Sequence, residues 1–145
     1  MSTDLQWLLI RKYNSYMVKG LPEGPIFSKE PGNLVNIHSH KYSGLANTKT
    51  IDVSDVNGTI QITTRNTKTS PQAVASARTV SNVRPRSGGR RALRVGSSVA
   101  KRGYRPDLRK ETLARISALT AAQKEPKATP ARKPRGKKAK AAASA

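Results

Sequence analysis

The sequence predicts an α+β protein. A small N-terminal domain of one short helix and an antiparallel sheet is followed by basic C-terminal helices and a disordered Lys/Ala/Pro tail. Three observations predict this. Lys49 to Val53 and Thr59 to Thr64 alternate and are rich in Ile, Val and Thr, with Asn57-Gly58, the favoured pair of a tight hairpin, between them. After Arg65 that alternation stops and the large apolar residues give way mostly to Ala and Val. From Lys127 onward the chain is mainly Lys, Ala, Pro, Arg and Gly, with nothing large and apolar to bury. The expected divisions are therefore 1–65, 66–124 and 125–145.

In chain order, Thr3-Asp4-Leu5-Gln6 has the spacing of a capping box, a hydroxyl followed three residues later by Gln. Leu5, Leu8 and Leu9 then share one helical face, which predicts a helix from Thr3 to about Lys12 with Trp7 in the core. So short a helix is marginal in water and needs a sheet to pack on. Tyr16 to Lys19 reads as a strand, stopped by Gly20-Leu21-Pro22-Glu23-Gly24-Pro25. Ile26 to Ser28 is a second strand, ended by the turn Glu30-Pro31-Gly32-Asn33. Residues 34–43 are ambiguous between strand and loop. Beyond the hairpin, Pro71 is placed as the first residue of a helix through about Asn82. Arg84-Pro85-Arg86-Ser87-Gly88-Gly89 breaks that segment. Arg90 to Lys101 is a second candidate helix, weakened by Gly96, and Pro106 starts a third. In the third, Leu108, Leu113, Ile116 and Leu119 share a face, and Asp107 and Glu111 sit near the positive N-terminus. Glu125-Pro126 ends it.

Composition restricts function. The 145 residues carry 28 Lys and Arg against 8 Asp and Glu, a net charge of +20. Residues 1–64 contribute only +1 and residues 65–145 contribute +19, so the second half calls for a polyanionic partner. Cysteine is absent, which removes disulfides and thiolate metal sites. No apolar run approaches the ~18 residues of a membrane span, and Leu5 to Ile10, preceded by Asp4, is too short for a signal-peptide core. His38 and His40 are spaced as a zinc-binding pair, but no Cys or carboxylate cluster completes the ligand set. Asp52 and Asp55 flank a turn, where Asp bonds its own main chain. Gly88-Gly89 lacks the spacing of a phosphate loop. No metal, cofactor, small-molecule substrate or catalysis is expected.

Eleven cations lie between Arg84 and Arg115, and within that span only Asp107 and Glu111 are acidic. A merely solvated face would mix the two signs. Arginine is also suited to phosphate, because its planar fork donates bidentately and stacks on bases. The expected RNA-binding set is Arg84, Arg86, Arg90, Arg91, Arg94, Lys101, Arg102, Tyr104, Arg105, Arg109, Lys110 and Arg115. For Tyr104 two roles stand open: stacking on an unpaired base, or packing under the start of the third helix.

Five stretches add a resemblance: Leu5-Gln6-Trp7 with Ile10-Arg11, Ser15-Tyr16-Met17-Val18-Lys19, Glu30-Pro31-Gly32-Asn33-Leu34, Tyr42-Ser43-Gly44-Leu45 with Lys49-Thr50, and above all Tyr104-Arg105-Pro106-Asp107-Leu108-Arg109. On these the chain resembles the L28e family of eukaryotic large-subunit ribosomal proteins, in the family's order over most of residues 5–120. The resemblance implies an N-terminal α+β domain, C-terminal helices, ribosomal RNA of the large subunit and neighbouring ribosomal proteins as partners, and no catalysis. It also implies residence on the cytoplasmic ribosome after nuclear import and nucleolar assembly. The N-terminal part is similar too to ribosome-assembly factors of the Mak16 type, through Ile10-Arg11, Ser15-Tyr16-Met17, Ile26-Phe27 and Leu45-Ala46-Asn47. That family carries cysteines in this region and lacks the Tyr-Arg-Pro-Asp-Leu-Arg run. The Lys127 to Ala145 tail alone suits a linker-histone-like DNA-binding protein, but the helix-and-strand N-terminal half does not.

Overall fold

The computed structural model describes residues 2–70, 73–101 and 103–130, with the side chain of Lys101 excepted. Its α+β class is the expected one: a short helix, sheets of two and three antiparallel strands, then C-terminal helices. The tail expected to be disordered lies, from residue 131 on, outside the described residues.

The first helix, α1 (Thr3–Ile10), is capped by Ser2, whose Oγ accepts a hydrogen bond from the Leu5 amide at 3.3 Å. The cap therefore stands one residue before the Thr3 of the expected box. No residue of α1 is buried, and Leu5, Leu8 and Leu9 are 47%, 55% and 65% exposed. Trp7, expected in the core, is only half-buried. Its ring lies 4.9 Å from that of His38 and stacks at 5.6 Å on His40. His38 Nε2 meets the Arg11 carbonyl at the helix end at 2.9 Å. The His-x-His pair thus anchors α1.

Strands β1 (Met17–Lys19) and β2 (Ile26–Ser28) form an antiparallel ribbon, which Ile37 extends by a single bridge to Phe27. The larger sheet has the order β3-β4-β5, with β3 (Ile51–Val56) and β4 (Thr59–Arg65) joined at Asn57-Gly58. Both turn residues have positive φ, 52° and 73°, as the tight hairpin requires. Ile51, Val53, Ile60 and Ile62 fall on one face at period two and are buried.

Strand β5 (Arg78–Val83) corrects the helix expected through Asn82, whose proposed start, Pro71, lies outside the described residues. It pairs antiparallel with β4, from Ile60↔Val83 to Arg65↔Arg78. The free edge of β4 offers a full ladder of hydrogen bonds to a segment containing Thr79, Val80 and Val83, whose branched side chains favour extended backbone. Pairing of that kind overrides a weak local helical signal.

Helix α2 (Gly89–Lys101), a 3₁₀ turn (Pro106–Leu108) and α3 (Arg109–Ala122) complete the fold. Leu34, Ile51, Val53, Ile60 and Ile62 form one core with Val83, Ala92, Ala100, Leu108 and Ile116. The division expected at 65/66 therefore does not divide the core. On α3 the buried positions are Thr112 and Ile116, following Leu108 at intervals of four, with Leu119 packed beside them; Thr112 takes the place expected for Leu113. Thr112 is tolerated there because its Oγ1 donates to the Leu108 carbonyl at 2.7 Å.

Gly96 is a packing requirement rather than a weak point. With Ala92 and Ala100 it forms a buried stripe of small residues along α2. A Cβ at Gly96 would run into Ile116 Cδ1 and stand 3.4 Å from Thr112 Cγ2. Ile116 is fully buried and has little room to yield. Gly96→Val is expected to lower unfolding stability by about 2 kcal/mol or more in chemical denaturation. Gly96→Ala should cost less, because alanine returns ~1 kcal/mol of helix propensity. A Val variant as stable as the parent would contradict this packing.

Candidate nucleic-acid interface

The small stripe that sets α2 against α3 decides where the arginines go. With Ala92, Gly96 and Ala100 turned inward, Arg90, Arg91 and Arg94 are exposed. Arg84 and Arg86 are exposed in the turn before α2, where the Ser87 amide bonds the Arg84 carbonyl at 2.8 Å. Lys110 is exposed and Arg115 half-buried on α3. Among the described residues, none of these seven cations pairs with a carboxylate.

Carboxylates near the helices are occupied elsewhere. Asp107 pairs with Arg105 at 2.7 Å, and Glu111 accepts from Tyr42 at 3.0 Å and Lys41 at 3.4 Å. Glu30 is buried, accepting from Asn33 Nδ2 and Ser43 Oγ, each at 3.1 Å. The turn–α2–α3 surface is thus left strongly positive. Beside it, α2 stands off the edge strand β5. Ser81, Arg90, Arg91, Arg94, Val95, Ser98 and Val99 line the open groove of about 770 Å³ between them.

The rest of the sequence-predicted set is disposed differently. Arg102 and the side chain of Lys101 lie outside the described residues. Arg109 Nε donates to Ser97 Oγ at 3.2 Å, tying α3 to α2. Arg105 is 14% exposed in its side chain; besides Asp107 it binds the main-chain carbonyls of Lys41 and Lys49, each at 2.9 Å. It laces the 41–49 loop to the start of α3, and its guanidinium is already satisfied.

Tyr104 packs its ring against the core and directs its hydroxyl between the first residues of β3 and the last of β4. The oxygen accepts from the amides of Thr50 and Arg65, each at 3.1 Å, and its proton is shared between their carbonyls. Burial pushes the phenol above its ordinary pKa, against the main-chain bonds that lower it, so the donor is retained at neutral pH. Of the two roles open to Tyr104, this geometry supports packing. The polar node of Glu30, Asn33 and Ser43 was not anticipated. The only signal for it was the Glu-Pro-Gly-Asn turn, whose Asn33 Oδ1 accepts from the amides of Val35 and Asn36 at 3.2 and 2.9 Å.

Two carboxylates give a pH signature. Asp107 is held below the usual carboxylate range, chiefly by the hydrogen bond from Arg105. Burial acts to raise Glu111, but its main-chain bond, Tyr42 and Lys41 together outweigh that and lower it. A folded pKa below the unfolded value stabilises above the unfolded pKa, and that contribution is lost as pH falls through the folded value. The denaturation midpoint is expected to drop as pH goes from about 5 to about 3. The Asp107→Asn/Glu111→Gln double variant should show a shallower drop. An unchanged profile in that variant would remove these two groups from the account.

Comparison with known proteins bears on the same residues. The model of the ribosomal L28e protein family matches residues 5–122, from α1 to the end of α3. The chain belongs to the ribosomal L28e family. Among its relatives is the large ribosomal subunit protein eL28 of Dictyostelium discoideum, 36% identical over 135 residues, covering 92% of this chain and 97% of the relative. The protein of that name from Schizosaccharomyces pombe is 33% identical over 130 residues, covering 87% and 96%. That from Caenorhabditis elegans is 37% identical over 81 residues, covering 56% and 64%. Within this L28e chain, the stretches that carry the resemblance meet at the struts just described. Tyr104 joins Thr50, Arg105 joins Lys49, and Glu30 joins Ser43.

Proposed function

We propose that the chain is a structural, non-enzymatic constituent of the large subunit of the eukaryotic cytoplasmic ribosome. In this reading it holds ribosomal RNA through the exposed cations of the turn before α2, of α2 and of α3. The observation that carries it is the set of seven cations with no carboxylate partner among the described residues, in a member of the L28e family. Cations crowded in this way repel one another unless a polyanion neutralises them, and a backbone of phosphates does so. Arg105, Tyr104 and Arg109 act in this reading by positioning: they lock α2 and α3 to the sheet so that the arginines present one rigid surface. Lys101 and Arg102 belong to the proposed RNA-binding set on the sequence alone. The exposed leucines of α1, in a half of net charge +1, offer neighbouring ribosomal proteins a contact that is not electrostatic. Nuclear import and nucleolar assembly follow from the same reading.

The test is binding of the full chain to a large-subunit ribosomal RNA fragment across a salt series. Neutralising 6 to 10 phosphates predicts a loss of about three to five orders of magnitude in affinity between 50 and 200 mM salt. Affinity that hardly changes with salt would overturn the phosphate reading.

A further inference from the structure

The groove between β5 and α2 has a composition that phosphate binding alone does not need. Its wall on α2 is a stripe in which Arg90, Arg91 and Arg94 stand near the half-buried Val95 and Val99. Hydroxyls from both sides, Ser98 of α2 and Ser81 of β5, also line it. The groove exists because α2 packs on α3, and α3 in turn on β3 and β4, so that on the helix-facing side of β5 Val83 is covered while Ser81 and Thr79 are left exposed. Thr79, Val80, Ser81 and Asn82 are all exposed. As an edge strand, β5 also carries outward main-chain donors and acceptors that no neighbouring strand takes up among the described residues.

We infer that this groove receives a single unstacked nucleotide of the bound RNA, the base lying on Val95 and Val99 while the arginines hold its flanking phosphates. The inference rests on the RNA-binding reading above and adds base capture to it. An unpaired base has an apolar face and a polar edge, which suits an apolar floor with nearby hydroxyls, and guanidinium planes stack on bases as well as binding phosphate. A continuous duplex buries its base faces in the stack and has no use for the valines. An acidic protein segment would satisfy the arginines but would place carboxylates over an apolar floor, which is unfavourable. A volume of about 770 Å³ lies in the ~300–1,000 Å³ range of pockets that hold small molecules, so one nucleotide fits.

The experiment compares binding of the full chain to a fully paired RNA hairpin and to the same hairpin carrying one unpaired adenosine, at several salt concentrations. The expected result is about tenfold or tighter binding of the bulged hairpin. Ser98→Leu, which narrows the groove with neither a charge nor an aromatic face, should bring that preference close to one while leaving affinity for the paired hairpin within about twofold. Equal binding of the two hairpins by the parent chain overturns the inference and leaves the phosphate reading standing. A preference that survives Ser98→Leu, in a variant that still binds the paired hairpin, overturns the placement of the base in this groove. Absence of salt-dependent binding to either hairpin overturns the RNA reading itself, and the inference with it.

Discussion

Replacing Arg90, Arg91 and Arg94 together by Gln is expected to reduce affinity for large-subunit ribosomal RNA by roughly two to three orders of magnitude at 0.15 M salt. The argument is one of counterions. Each cation that meets a phosphate releases bound counterions, so losing three such contacts should make the log–log salt dependence shallower by about 3. The fold should be indifferent, because all three side chains are exposed and none pairs with a carboxylate among the described residues. Removing three like charges from one turn and a half of helix should if anything relieve repulsion along α2. The two readouts therefore separate: RNA affinity and salt slope fall, while the denaturation midpoint is unchanged or slightly raised. A variant with the parent's salt slope would mean that the phosphates are met elsewhere on the chain.

Tyr104→Ala is expected to be the most destabilising of the substitutions considered, at about 3–5 kcal/mol, the range for removing a large aromatic ring from a core. Against a typical total of 5–15 kcal/mol, that is enough to leave part of the population unfolded. Two contributions add. The ring packs against the core near the 3₁₀ turn, and the hydroxyl joins Thr50 of β3 to Arg65 of β4. Tyr104→Phe isolates the second contribution and should cost about 1–3 kcal/mol, since main-chain groups lose a partner in a half-buried site. Stability within a few tenths of a kcal/mol of the parent in the Phe variant would show that the hydroxyl is not a strut. RNA affinity measured on the folded fraction of the Phe variant should stay near the parent value. A specific loss of affinity there would return Tyr104 to the set that touches RNA.

How far the fold could be read from the sequence depended on whether local and tertiary signals agreed. The β3–β4 hairpin was legible because three of them coincide: period-two burial, branched side chains and an Asn-Gly pair able to take positive φ. Strand β5 was not, because only Val83 of its six residues is buried. Its conformation comes from pairing with β4, and periodicity within the segment carries no trace of that. The leucine spacing of α1 was read correctly as a helix face but wrongly as a core face. Spacing reports that apolar residues share a side, and nothing in it says what covers that side. Thr112 was passed over in favour of Leu113 because hydropathy ranks threonine low, whereas geometry asks only for positions four apart and a bonded hydroxyl.

The candidate site shows the same division. A cluster of arginines is visible from composition and spacing, and Arg84, Arg86, Arg90, Arg91 and Arg94 are indeed exposed together. Which arginines are already engaged is not visible, because that depends on carbonyls far away in the chain. Arg105 reaches Lys41 and Lys49 across 64 and 56 residues. The Tyr-Arg-Pro-Asp-Leu-Arg run, read as the sharpest part of the basic stretch, has its Tyr104, Arg105 and Arg109 engaged in bonds within the fold. Asp107, two residues after Arg105, was the one local hint, since a short-range ion pair takes that guanidinium away from any phosphate.

The central claim is that this chain is held in the large ribosomal subunit by its arginine surface. The most direct measurement is sedimentation of the tagged full chain from a cell lysate on sucrose gradients, before and after a high-salt wash. The account predicts comigration of the parent chain with mature large subunits and polysomes before the wash, and its progressive release as salt is raised. It also predicts displacement to the top of the gradient for the Arg90→Gln/Arg91→Gln/Arg94→Gln variant. Recovery of the parent chain only with nuclear precursor particles, or only with chromatin, would contradict it.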